Sequence, residues 1–145
     1  MKRIIFILLA IAVFQQAHTQ VTVTNLRCEM LVNPLGMETK QPRLSWQLNS
    51  SLRNVVQASY QVIVSSSPAN LLLNKGDVWN SGVVNSSQSL HVLYNGPALK
   101  PATHYYWKVL VSTNKGPART LQPAFFSTGL ATENWKAKWI GYDKG

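Results

Sequence analysis

Residues 99–109 read LKPATHYYWKV and predict a turn that leads directly into a strand. Every second residue of this stretch shares one face: Leu99, Pro101, Thr103, Tyr105, Trp107 and Val109. Because successive side chains of a strand point to opposite faces, we expect this set to face a core. A tyrosine buried there must place its hydroxyl on a backbone acceptor, and we predict that Tyr105 does so and pins the crossing between two sheets. Tyr106 points the other way and is the predicted surface aromatic.

This stretch resembles the corner that precedes strand F of fibronectin type III domains. Trp46, Tyr60 and the Tyr105 corner occupy the positions that a sandwich of this type would require. The resemblance covers residues 21–129 and implies a fold, whereas it says little about function.

Short alternating runs separated by Gly, Pro, Asn and Ser clusters predict an all-β chain, with no sustained helical period. The predicted strands are 21–28, 43–48, 58–65, 78–83, 89–94, 104–112 and 121–128. Residues 68–75 predict at most one or two helical turns. We therefore predict a fibronectin type III or immunoglobulin-like two-sheet β-sandwich of about seven antiparallel strands. Trp46, Tyr60 and Trp107 are its predicted large core residues.

Residues 33–46, NPLGMETKQPRLSW, join an irregular loop to the second predicted strand. NPLG at 33–36 and QPRLSW at 41–46 resemble the opening of bacterial α-L-rhamnosidases of glycoside hydrolase family 78, which remove terminal rhamnose with inversion. DVWNSG at 77–82 looks like a segment of the same N-terminal region. WKAKWIG at 135–141 is similar to the segment that leads from the first sandwich of these enzymes into the next β-domain.

The resemblance implies that the family's catalytic glutamates lie in a helical barrel far downstream, and no position of this chain corresponds to them. The residues agree with that implication. A glycosidase uses two carboxyl groups, roughly 5 to 9.5 Å apart, on either side of the bond. The acids of this chain form no pair at a predicted pocket: Glu29, Glu38, Asp77, Glu133 and Asp143. We therefore predict no catalytic residue in the chain.

Other chemistry is equally sparse. His91 and His104 have no Cys, Asp or Glu at ligand spacing, so we predict neither a metal site nor a cofactor site. Cys28 has no disulfide partner and is predicted to be a buried thiol. Trp79 is the candidate for stacking on a sugar, and packing at a sheet edge is the alternative that we favour.

The first residues have the order of a secretory signal peptide. Two charges at Lys2 and Arg3 precede an apolar run from Ile4 to Phe14, which is too short to span a bilayer. Cleavage after Thr19 or after Ala17 would suit the small residues there. We expect a periplasmic or secreted protein with no membrane attachment after the signal is removed.

Loss of Lys2 and Arg3 with the signal would lower the net charge from +9 to +7. The remaining basic residues are scattered singly between Arg27 and Lys144, with no basic run or Arg-rich helix. A nucleic-acid partner is therefore not expected.

We predict a signal peptide at 1–19, a β-sandwich at 20–129, and a linker with the start of a truncated next domain at 130–145. Trp135, Trp139 and Ile140 would expose apolar surface alone, so they are predicted to contact downstream domains of the same polypeptide. Two functions follow as hypotheses. The first is the N-terminal, non-catalytic module of an exported α-L-rhamnosidase-like enzyme. The second is a standalone exported sandwich that binds glycan or protein ligands.

Overall fold

The computed structural model describes residues 21–130 and Lys136. The predicted signal peptide, Trp135, Trp139 and Ile140 lie outside the described residues. Nearly all of the regular structure is β. The elements are β1 (Val21–Cys28), β2 (Arg43–Ser50), β3 (Gln57–Ser65), α1 (Pro68–Leu72), β4 (Trp79–Asn80), β5 (Val92–Leu93), β6 (His104–Thr113), β7 (Gly116–Thr120) and β8 (Ala124–Ser127).

The strands form a curled sheet in the order β4-β3-β6-β7-β1-β2-β5, and β8 pairs with β6 beside this path. β1 and β2 face β3 and β6 across a shared core, which confirms the predicted sandwich. The two faces are not fully separate, because β7 also pairs with β1 at Thr22–Arg119 and Val23–Thr120. This short pair is parallel, whereas the sequence predicted only antiparallel neighbours.

The core contains the three large residues that the sequence predicted. Trp46 and Trp107 are almost fully buried, and the rings of Trp46 and Tyr60 meet edge to face with centroids 5.1 Å apart. The Trp46 indole N–H donates to Gln57 Oε1 at 3.0 Å, so the polar group of that side chain is satisfied. α1 covers β3 and β6 from outside and buries Leu71 apart from this core.

Two predicted strands are shorter in the structure. The stretch 78–83 pairs only at Trp79–Asn80, and 89–94 pairs only at Val92–Leu93. Gly82 has φ +64° and His91 has φ 54°, so each leaves the extended conformation that a longer ladder requires. Alternation in sequence cannot reveal such a local change of φ.

The bounds of the last predicted strand, 121–128, are wrong, because the strand there is β8 (Ala124–Ser127). A further strand, β7, was not predicted from the sequence. β7 pairs with residues 110–113 of β6, and β8 pairs with residues 104–107. Residues 121–123 bulge between them, and Pro123 has no N–H for a ladder. The Thr120 hydroxyl donates to Val109 O at 2.7 Å and accepts from Val109 N–H at 3.0 Å, which satisfies the β6 backbone beside the bulge.

Candidate domain-junction surface

The loop at residues 33–37 lies along the edge of β8 that does not face β6. The N–H of Phe125 donates to Asn33 Oδ1 at 3.0 Å, and the N–H of Ser127 donates to Pro34 O at 3.0 Å. In return, the N–H of Met37 donates to Ser127 O at 2.8 Å. The loop therefore covers an edge that would otherwise present unpaired backbone groups.

The residue types of this loop suit its backbone. Asn33 has φ 48° and Gly36 has φ +67°, and Asn and Gly are the residues that adopt this region most readily. Asn33 also supplies a side-chain acceptor, whereas the N–H of Gly36 donates to Ser127 Oγ at 3.0 Å. The NPLG sequence, which carries the family resemblance, is therefore a structural element that binds β8.

The same loop holds the chain where it leaves the sandwich. The N–H of Gly129 donates to Met37 O at 2.8 Å, and Gly129 O accepts from Ala102 N–H at 2.9 Å. A Cβ on Gly129 would lie 3.1 Å from Gly36 O, so the two backbones approach closely. The chain therefore leaves the sandwich at residue 130, from a position fixed by both loop 33–37 and the corner at 99–103.

The predicted corner is present, with a reversed hydrogen bond. Tyr105 is buried and its ring packs on Phe126, with centroids 5.4 Å apart. Its hydroxyl accepts from the backbone N–H of Lys100 at 2.7 Å, whereas the sequence predicted donation to a backbone acceptor. The predicted position of Tyr105 is confirmed. The predicted direction of its hydrogen bond is wrong, because the turn at 100–103 directs a backbone N–H towards the hydroxyl.

Exposed aliphatic side chains follow this edge of the molecule. They are Val32, Leu35, Leu121 and Leu130, all more than half exposed. Beside Val32 and Leu121, a groove of about 400 Å³ lies between β1 and the bulge at 121–123. Its lining includes Val23, Leu26, Val32, Asn33, Leu121 and Pro123, and none of its lining residues carries a charge. We call the four exposed side chains and this groove the β8-edge surface.

Trp79, the candidate for sugar stacking, and Tyr106, the predicted surface aromatic, are both partly covered. Trp79 is half-buried and its ring meets the ring of Tyr94 edge to face, with centroids 5.0 Å apart. It pairs with Val64 at the edge of β3, which is the packing role that we favoured. Tyr106 is half-buried on the outer face, and its ring is tilted by 51° to that of Phe125. The tilted pair does not form one flat platform.

Two of the described acids, Glu29 and Asp77, have structural partners. Glu29 binds the Arg43 side chain at 2.6 Å and also accepts from the Arg43 backbone N–H at 2.6 Å. The side-chain hydrogen bond from Arg43 holds the pKa of Glu29 below its usual value. Asp77 accepts from the N–H and the hydroxyl of Ser66 beside α1. Glu38 lies elsewhere on an exposed loop.

Cys28 and the two described histidines, His91 and His104, have other surroundings. Cys28 is buried, with Sγ 3.7 Å from Met37 Sδ, and burial followed by the charge of Glu29 raises its pKa to about 12. The backbone N–H of His91 donates to the Ser45 hydroxyl, and the His104 ring lies beside Phe125. Within residues 21–130 no three His, Cys, Asp or Glu side chains form a group that could hold a metal ion. That range also has no helix with the length and apolarity needed to cross a membrane.

A second buried tyrosine, which was not predicted from the sequence, also bonds the backbone through its hydroxyl. Tyr94 is buried and donates its hydroxyl to Pro97 O at 2.7 Å. Burial raises the pKa of Tyr94 to about 12. A Cβ on Gly96 would lie 2.5 Å from the Tyr94 hydroxyl, so glycine is required there. The Gly96-Pro97 dipeptide was the available signal for a turn closing on Tyr94.

The fold is that of an immunoglobulin-like β-sandwich module. The chain belongs to the family described as Rha78A-like, N-terminal immunoglobulin domain, whose model matches residues 23–132.

Similar proteins agree with this assignment. The chain is 42% identical over 120 residues to an α-L-rhamnosidase of Streptomyces avermitilis, covering 81% of the chain and 12% of the relative. It is 36% identical over 149 residues to an α-L-rhamnosidase of Formosa agariphila, covering 96% and 16%. The α-L-rhamnosidase structure from Dictyoglumus thermophilum matches with a TM-score of 0.79 and 42% identity, over 85% of this chain and 14% of that one. The chain thus spans only 12% to 16% of the length of these proteins.

Proposed function

We propose that the chain is the N-terminal, non-catalytic module of an exported α-L-rhamnosidase-like glycoside hydrolase. One observation carries the proposal. Residues 23–132 match a family of N-terminal domains, and the relatives of the chain are several times longer. A domain downstream would hydrolyse terminal α-L-rhamnose. The module would support the domains that follow it.

Two observations on the described residues favour a structural, non-catalytic role. Glu29 and Asp77 are engaged with Arg43 and Ser66, so neither is free to act as an acid or base. The hydrogen bonds of Gly129 direct the chain out of the sandwich at a defined point. Trp135, Trp139 and Ile140, only a few residues further on, would contact the next domain.

Export is the second element of the proposal. It rests on the charged start, the apolar run from Ile4 to Phe14 and the polar residues that follow. The protein would act in the periplasm or outside the cell. No membrane attachment is proposed for the processed chain.

The test follows the natural polypeptide in the source organism. An antibody raised against residues 21–130 should detect a polypeptide several times larger than 16.2 kDa in the periplasm or medium. That polypeptide should copurify with hydrolysis of p-nitrophenyl α-L-rhamnoside. A product of about the size of the chain, with a reading frame that stops after Gly145, would contradict the proposal.

A control concerns the absence of catalysis in the module itself. The purified 145-residue chain should release no p-nitrophenol from the same rhamnoside above a buffer blank. Hydrolysis by that chain, abolished by Glu29→Gln or Asp77→Asn, would show that the module is catalytic.

A further inference from the structure

We propose that Asn95 is a self-modification site, where the folded chain converts its own asparagine side chain into aspartate and isoaspartate by spontaneous deamidation. The reactants are the side-chain amide of Asn95, the backbone nitrogen of Gly96 and water. The reaction requires only the fold described above, so it holds whether or not further domains follow the sandwich.

The Asn95-Gly96 dipeptide has the chemistry for this reaction, and no other asparagine of the chain directly precedes a glycine. The nitrogen of Gly96 forms a bond to Cγ of Asn95, and the Cγ–Nδ2 bond breaks with release of ammonia. Glycine has no Cβ to hinder the attack. One water molecule then opens the five-membered succinimide at either carbonyl, and gives aspartate or isoaspartate without any oxidation or reduction.

The structure leaves both reacting groups free. Asn95 is exposed and lies beyond the end of β5 (Val92–Leu93). Among residues 21–130, neither its side chain nor the N–H of Gly96 has a hydrogen-bond partner. No ladder or cap therefore has to open before the nitrogen of Gly96 approaches Cγ of Asn95.

Other asparagines in loops or at strand ends are held by their side chains. Asn80 Oδ1 accepts from Gln61 Nε2 at 2.8 Å and from the N–H of Gly82 at 3.0 Å. Asn114 Oδ1 accepts from the N–H of Val56 at 2.9 Å. These bonds restrain the side-chain carbonyl that would have to be attacked, so the structure favours residue 95.

The packing of Tyr94 requires the glycine that makes Asn95 reactive. A Cβ at Gly96 would lie 2.5 Å from the Tyr94 hydroxyl and 2.7 Å from Cβ of Trp79. Any larger residue would displace the Tyr94 ring, whose hydroxyl donates to Pro97 O at 2.7 Å. The anchored tyrosine and the reactive dipeptide therefore depend on the same missing Cβ.

The two products should affect this turn differently. Isoaspartate carries the main chain through the former side chain and adds a methylene group to the backbone before Gly96. This displaces Gly96 against the Tyr94 ring and weakens the hydrogen bond to Pro97, because closely packed contacts transmit such a shift. Aspartate adds only a charge at an exposed position, where stability rarely changes much.

The first experiment incubates the purified 145-residue chain at mildly alkaline pH and follows each asparagine by peptide mass spectrometry. Asn85, which is exposed and precedes a serine, is the internal control. Conversion should be about tenfold or more faster at Asn95, because Ser86 carries the Cβ that Gly96 lacks. It should be no more than about tenfold slower in the native chain than in guanidinium chloride, since residue 95 lies outside the ladder. Equal rates at both asparagines, or strong protection of Asn95 by the fold, would overturn the proposed site.

The second experiment separates the two products. Asn95→Gln should abolish conversion at residue 95 and keep the Tm of the fresh parent, which shows that the site can be blocked without loss of the fold. Fresh Asn95→Asp supplies the charge without the extra methylene and should also keep that Tm. The aged parent, with its isoaspartate content counted by an isoaspartyl methyltransferase, should unfold several degrees earlier. An aged parent as stable as fresh Asn95→Asp would refute the effect on the Tyr94 turn.

Discussion

The hydroxyl of Tyr105 accepts a hydrogen bond from the backbone N–H of Lys100, with N and O 2.7 Å apart. The carbonyl of Lys100 in turn accepts from the hydroxyl of Thr128 at 2.6 Å. One residue of the corner is therefore bound to β6 by its N–H and to the end of β8 by its C=O. The corner and the chain exit are parts of one hydrogen-bonded unit.

Tyr105→Phe should destabilise the protein by about 1 to 3 kcal/mol, because it leaves the N–H of Lys100 without its partner in a partly buried site. Tyr106→Phe is the matched control, since the Tyr106 ring lies half-buried on the outer face. It should change stability by less than about 0.5 kcal/mol. Urea unfolding of both variants measures the difference, and equal effects would show that the corner bond contributes nothing.

Trp46→Phe should cost at least about 1 kcal/mol more than Trp107→Phe. Both indoles are buried, and both substitutions remove the same atoms. The Trp46 N–H donates to Gln57, whereas the Trp107 N–H has no acceptor among the described residues. Trp46→Phe therefore leaves the side-chain Oε1 of Gln57 without this donor. Trp107→Phe removes a buried N–H that already lacks an acceptor. Thermal unfolding of the pair tests this, and a larger loss at Trp107 would contradict it.

Substitutions of Asn33 should separate its backbone role from its side-chain role. Asn33→Gly keeps the positive φ of 48° and loses the acceptor for Phe125 N–H, at a cost of roughly 1 to 2 kcal/mol. Asn33→Ala loses the acceptor and adds strain of about 1 kcal/mol in that conformation. Asn33→Asp retains an acceptor and should be the mildest of the three. Denaturant midpoints give the order, and alanine at or above glycine would refute the strain argument.

Glu29 should contribute to the loss of folding stability at acid pH. Its folded pKa lies below the unfolded value because of the hydrogen bond from Arg43, so the ionised carboxylate stabilises the fold above the unfolded pKa. That contribution is lost as pH falls through the lowered folded pKa. Glu29→Gln should therefore slightly reduce stability at pH 7 and flatten the decline below about pH 4.5. Unfolding curves at several pH values measure this, and parallel declines would oppose it.

Cys28 should be unreactive in the native protein. Its thiol is buried and its pKa is about 12, so very little thiolate exists at pH 8. Labelling with a disulfide reagent should be at least a hundredfold slower in buffer than in 6 M guanidinium chloride, and should follow opening of the fold. Rapid labelling of the native chain would show that the end of β1 is open to solvent.

Much of the fold was predictable from local pattern. Alternation placed Trp46, Tyr60 and Trp107 in the core, because burial of every second side chain is encoded within a few residues. The junction surface was less accessible to sequence reasoning. Phe125 N–H binds Asn33 over a separation of 92 residues, and Gly36 binds Ser127 over 91. NPLG could be recognised as characteristic of a family, but nothing local indicated that it would lie against β8.

The sequence by itself determined the class of fold, the main core residues, the position of the Tyr105 corner and the family resemblance. These depend on residue type and on spacing along the chain. Only the tertiary structure decided that loop 33–37 covers β8, that residues 121–123 leave the ladder, and that Gly129 is held between Met37 and Ala102. The reason is physical: backbone groups at an edge are satisfied by whichever distant segment the fold brings within hydrogen-bonding distance.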